Sequence, residues 1–185
     1  MSNGTALLVI DAQVNKFSPE SAVHESQKLL TTLNWLIARA RSANALVVYV
    51  QNNGRKGELD QLGTPGWQIH PSLAPQAGDL VLQKSAPDPF HLTPLQKELT
   101  RREIRRLIIA GTQSELSIDA ACRRASALDY EVVLVSDGHS TYGNDKPSPA
   151  DVITGQNASL AAVAKVIGSS EVDFRQGLKP RRNFT

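Results

Sequence analysis

Three side chains of different chemistry stand at comparable places in the sequence. Asp11 closes the apolar run 5–10, Lys84 closes the run 79–83, and Ser117 lies just beyond the run 107–110. A hydroxyl can act as a nucleophile, and a carboxylate closing a buried strand needs partners or a job. Runs this short suit strands buried on both faces better than helices. Parallel strands share one carboxyl edge, where ligands bind, so the three groups are expected to meet there. After residue 110 the pattern changes. Gly111 lets the chain turn, Ser114 can cap a new helix, and Ile118, Ala121, Cys122, Ala125 and Leu128 recur at helical spacing. Ser117 falls in the first turn of that helix, whose N–H groups would stabilise an anionic nucleophile and the oxyanion it creates. Each residue also has an ordinary reading. A small polar residue is common near a helix start, a carboxylate after a strand often bonds nearby N–H groups, and a lysine there is usually solvated.

The elements that must position them alternate. A strand over 5–10 leads to a helix opening at Ser18-Pro19, with Val23, Leu30, Leu33, Ile37 and Ala40 on one face and its end near Ser42. A strand over 45–50 follows, then a long polar loop over 51–76 that carries Gln51, Trp67 and His70, of a length that is usually functional or mobile. The strand 79–83 and a helix over 92–104 lead into the run 107–110. The run 130–135 reads as the fifth strand and ends at Asp137-Gly138-His139, where both ionisable residues are further candidates. Residues 150–167 read as the last long helix and 171–174 as a sixth strand. The expected fold is a Rossmann-like three-layer α/β/α sandwich on a mainly parallel six-stranded sheet. One domain spans 1–176, and a basic tail covers 177–185.

With 185 residues, 41% of them hydrophobic, the chain can bury one sizeable core. A net charge of +2 points to neither nucleic acid nor an anionic membrane. The basic clusters 101–106 and 179–182 read as solvated surface, because no aromatics interleave them. No apolar run approaches membrane-spanning length, and no basic-then-apolar leader opens the sequence. Cys122 is the sole cysteine, which excludes an intrachain disulfide and suits a cytoplasmic compartment.

The motifs LLVIDAQ, GTPGWQIHP, LQKS, IIAGTQSELSIDAACRRA and ADVITGQNASLA, in this order and on these elements, resemble the isochorismatase-like cysteine hydrolases over about residues 6–166. That superfamily includes nicotinamidases, N-carbamoylsarcosine amidases and ureide hydrolases. The resemblance implies a triad of Asp11, Lys84 and the residue at 117, with the oxyanion held by the backbone N–H groups of Gln113 and Ser117. It implies a non-proline cis peptide at Thr112-Gln113, a substrate pocket bounded by Gln13, Phe17 and Trp67, a small-molecule substrate, no cofactor, and self-association as a dimer or tetramer.

Two positions depart from the family pattern. The family's nucleophilic cysteine is replaced by Ser117, and Cys122, on the apolar helix face, reads as a core thiol. Ser117 fits a silencing Cys-to-Ser replacement, a serine nucleophile, or chemistry without a covalent intermediate. In that last case Asp11 would act as general acid on a vinyl ether of the isochorismate type. A hydroxyl is a poor substitute where only a carboxylate serves as base, so the first reading is preferred. The Asp-x-His metal pair of nicotinamidases is replaced by Asn52 and Gly54, leaving His70 alone, and one histidine does not make a metal site. The expectation is a metal-free hydrolase of a small amide, ureide or lactam, with a catalytically dead ligand binder as the competing class.

Overall fold

The computed structural model describes residues 3–143 and 146–175. The apolar runs form six strands: β1 (Thr5–Ile10), β2 (Leu46–Asn52), β3 (Leu80–Lys84), β4 (Arg106–Thr112), β5 (Glu131–Ser140) and β6 (Lys165–Ile167). They pair in the order β3-β2-β1-β4-β5-β6, every pair parallel. Because strand faces alternate, one set of side chains, including Leu7, Val9, Tyr49 and Ile108, packs against helix α1 (Ser26–Ser42). The other set, including Leu8, Ile10, Val48 and Ile109, packs against α2 (Leu95–Arg101), α3 (Asp119–Ala127) and α4 (Pro149–Leu160). This is the three-layer α/β/α sandwich read from the sequence. The strand order reverses between β1 and β4, and the carboxyl ends on either side of that reversal are where such sheets open a crevice for ligands.

Several boundaries differ from the sequence reading, each for a physical reason. The sixth strand is Lys165–Ile167, paired to Val133, Leu134 and Val135, and not residues 171–174. Val172 and Phe174 are buried while their neighbours are exposed, so their alternation imitates a strand. They lie instead as irregular chain over the α1 face, where a single helix leaves apolar surface to cover. The last helix therefore ends at Leu160, and α2 is shorter than the expected 92–104. Helix α1 starts at Ser26, after Glu25 in a left-handed conformation, because residues 14–24 make turns instead, with Val23 N–H donating to the Lys16 carbonyl. Arg106, grouped above with a surface cluster, is buried, donating to the Asp173 carbonyl at 2.7 Å and facing Glu131 at 3.5 Å. The expected tail 177–185 lies outside the described residues. Among the described residues no helix is long and apolar enough to cross a membrane.

Candidate active site

The carboxyl end of β4 is shaped by its backbone. Gly111 has φ +129°, a conformation L side chains rarely adopt, and a Cβ there would collide with the Ile10 carbonyl of β1. The following Thr112-Gln113 peptide is cis. Residues Ser114–Ile118 then form a π-helical turn, in which the Gln113 carbonyl accepts from Leu116 N–H and Ile118 N–H. Ser114 does not cap this helix; its hydroxyl pairs instead with His139. Widened turns of this kind are frequent at functional sites, and here the turn carries Ser117 toward β1.

Asp11 turns the chain out of β1 with φ +49°. Its N–H donates to the Val50 carbonyl, and its own carbonyl accepts from the Thr112 hydroxyl at 3.0 Å, which ties it to both neighbouring strands. Its Oδ2 accepts from Ser117 Oγ at 2.8 Å and from Lys84 Nζ at 3.0 Å, while Lys84 Nζ also reaches Ser117 Oγ at 3.2 Å. All three side chains are buried. Burial pushes the Asp11 carboxyl above its ordinary pKa, and this desolvation outweighs the opposing pull of Lys84. Asp11 Oδ1 is buried with no partner among the described residues. Neither does the Gln113 N–H donate to any group among them. A free acceptor thus stands on the carboxylate that holds the Ser117 hydroxyl, able to grip a polar group that enters the cavity.

This triangle lies in the wall of a cavity of about 490 Å³, together with Gln113, Asn15, Lys16 and Tyr142 and loop residues including Glu58 and Asp60. Three residues expected in the wall are placed elsewhere. Phe17 is buried in the α1-side core, edge-on to His70. Trp67 anchors the long loop, its indole N–H donating to Asn53 Oδ1 at 2.8 Å. Gln13 is fully buried and clamps the Asn52 backbone, accepting from its N–H and donating to its carbonyl, both at 2.9 Å. Asn52 in turn accepts from Lys84 Nζ at 3.3 Å and donates to Asp60 at 2.9 Å, so Gln13 acts on the triangle only through Asn52.

Residues 5–166 match the isochorismatase domain. A streptothricin hydrolase of Streptomyces noursei is 37% identical over 159 residues, 86% of this chain and 57% of that protein. The chain spans under two thirds of the length of the two streptothricin hydrolases it matches. The isochorismatase family protein YddQ of Bacillus subtilis, uncharacterised, is 31% identical across 80% of this chain and 85% of its own length. A solved isochorismatase family protein from Desulfovibrio vulgaris superposes with a TM-score of 0.80 at 27% identity, covering 90% of this chain and 95% of that one. The chain belongs to the isochorismatase family of hydrolases.

Within this isochorismatase domain the remaining candidates separate by burial and partner. His139 is buried on β5, with Nε2 at 3.0 Å from Asn157 Oδ1 and Nδ1 at 2.8 Å from Ser114 Oγ. Asn157 donates through Nδ2 to the Ser136 carbonyl, so its Oδ1 must accept the His139 Nε2 proton, and Nδ1 accepts the Ser114 hydroxyl. Burial lowers the His139 pKa, consistent with this neutral tautomer. Asp137 accepts from Ser169 N–H and Oγ, and His70 caps a short turn through Ser72. Cys122 is fully buried on α3, its thiol pushed up to about 12 by desolvation. The sequence reading did not single out Asn15, Lys16, Asp60 or Tyr142. Adjacency to strand ends hinted at Asn15, Lys16 and Tyr142, and nothing marked Asp60, since no spacing rule identifies loop residues that converge through tertiary contact.

Proposed function

We propose that this isochorismatase domain, over residues 1–176, cleaves a C–N bond of a small amide, ureide or lactam in a site built around Asp11, Lys84 and position 117. The observation that carries this is the buried triangle in which one carboxylate oxygen accepts from both the ammonium and the hydroxyl. Asp11 takes the proton of the nucleophile at 117, whose heteroatom attacks the carbonyl carbon. The oxyanion then accepts from the N–H groups of Gln113 and Ser117. As the tetrahedral adduct collapses, Asp11 returns the proton to the departing nitrogen, and water hydrolyses the acyl-enzyme. The unpartnered Oδ1 atoms of Asp11 and Asn15 favour a substrate that presents N–H donors. The relationship to a protein that hydrolyses streptothricin agrees with this class. Raised as it is, Asp11 remains far too weak a base for a hydroxyl, whereas a thiol with an ordinary pKa of about 8.5 is within reach. Ser117 is accordingly read as a silencing replacement in a thiolate site. The test is ammonia release from a panel of small amides and ureides: Ser117→Cys should exceed the parent by a factor on the order of a thousand or more on the right substrate. Equal turnover by both forms would end the reading.

The raised pKa of Asp11 favours one alternative, in which Asp11 donates a proton to a vinyl ether of the isochorismate type and no covalent adduct forms. Self-association as a dimer or tetramer is also proposed, on the ground that Leu59 and Leu62 of the long loop are 61% and 56% exposed. Sedimentation as a clean monomer at micromolar concentration would remove that part.

A further inference from the structure

Lys16 closes the short turn Val14–Lys16 that follows β1, and only 7% of it is exposed. Its Nζ sits 5.0 Å from the centroid of the Tyr142 ring, and both residues line the cavity beside Asp11. Its ammonium makes no hydrogen bond or ion pair with another side chain or backbone group among the described residues. An ammonium carries three donors that need partners or water, and on a side chain otherwise withdrawn from solvent this one faces the cavity. The face of an aromatic ring meets part of that need and leaves the donors open. The other charges of the cavity wall are answered differently. Asp11 is committed to Lys84 and Ser117, Asp60 accepts from Asn52, Glu58 accepts from the Arg55 N–H, and Arg55 itself is exposed to water.

We infer that Lys16, backed by Tyr142, is a substrate-anion subsite, and that the small amide or ureide hydrolysed here carries a carboxylate that pairs with the Lys16 ammonium while its amide lies against Asp11 and Ser117. This rests on the hydrolase reading above and narrows its substrate class. A monoanion fits better than a phosphate, because Lys16 offers one cation here, Arg55 stands out in water, and the acids Asp11, Glu58 and Asp60 share the wall. The competing role for Lys16 is electrostatic: its charge favours the ionised form of Asp11. In that case Lys16 would influence the reaction without selecting among ligands.

Binding separates the two roles and needs no turnover. The parent protein is titrated calorimetrically with malonamate, succinamate and glutaramate, each against its neutral diamide. At least one acid should bind about tenfold or more tighter than its diamide. Lys16→Met should erase that preference with little change in diamide affinity, and Lys16→Arg should keep most of it. No acid preference at any of the three lengths, or a preference that survives Lys16→Met, overturns the subsite. That failure is distinct from failure of the hydrolase reading. Ser117→Cys protein that releases ammonia equally well from succinamate and succinamide would keep the hydrolase and remove the anion subsite.

Discussion

A hydroxyl at position 117 shares one carboxylate oxygen with an ammonium, at 2.8 Å and 3.0 Å, inside a site that water barely reaches. The chemistry available to that atom depends on its own acidity more than on its neighbours' geometry. A thiol there should be held largely as thiolate by the Lys84 charge, whereas the hydroxyl stays protonated. The Ser117→Cys protein should therefore be alkylated rapidly by iodoacetamide, with Lys84→Met slowing the labelling. The parent should resist, because its one thiol, Cys122, is fully buried and pushed up to about 12. Rapid loss of reactive thiol in the folded parent would show that position 117 is the wrong residue. The pH profile separates the two mechanisms. If Asp11 acts as base toward the nucleophile, the rate rises as pH climbs through its elevated pKa; if it acts as general acid on a vinyl ether, the rate falls across the same interval. A profile measured from pH 4 to 8 on the responsive substrate reads the sign directly.

At the scale of elements, the site is the product of how three strands end. Strand β1 ends in a left-handed aspartate, β3 in a buried lysine, and β4 in a glycine pressed against β1 followed by the π-helical turn. Gly111→Ala should destabilise the domain by more than about 3 kcal/mol, since it combines a forbidden φ with a collision against the Ile10 backbone. A urea midpoint near that of the parent would contradict this account. Strand β5 contributes differently. Ile109 pairs with Leu134 and Gly111 with His139, so β5 bulges between these partners and delivers His139 inward between Ser114 and Asn157. Its pKa is depressed on folding, so its contribution is present above the ordinary value of about 6.5 and lost as pH falls toward the folded one. The gap in urea midpoint between the parent and His139→Gln should therefore narrow from pH 7 to pH 5. Asp11, Lys84 and Ser117 were legible in the sequence because ionisable or nucleophilic residues closing apolar runs break a strong pattern. The bulge in β5 was not, because Asp137-Gly138 looks like the end of a strand. Where Phe17 and Trp67 sit was not legible, because an aromatic near a strand end reads alike whether it faces a cavity or fastens a loop. Only tertiary contacts, Phe17 with His70 and Trp67 with Asn53, decide between them.

In the molecule as a whole, the ion pair that serves the site also crosses the fold. Asp11 and Lys84 lie 73 residues apart, on strands separated by β2, and meet in the buried carboxyl edge of the sheet. Burial raises the Asp11 pKa on folding, so its favourable contribution is fully present below the unfolded value of about 3.9 and is lost as pH rises through the folded one. Lys84 limits that loss by stabilising the carboxylate, and Lys16 adds a smaller share. Removing Lys84 should therefore cost little in acid, where Asp11 is neutral in either protein. At higher pH the buried carboxylate loses its bonded counter-ion, and the cost should grow toward about 3–5 kcal/mol. Measured as urea midpoints, the gap between parent and Lys84→Met should widen steadily from pH 4 to pH 8. In an Asp11→Asn background the same lysine substitution should leave no such widening, because the group whose proton drives it is gone. A gap independent of pH would mean that Lys84 stabilises the sheet edge by packing alone. The charge coupling between β1 and β3 would then contribute nothing to the fold.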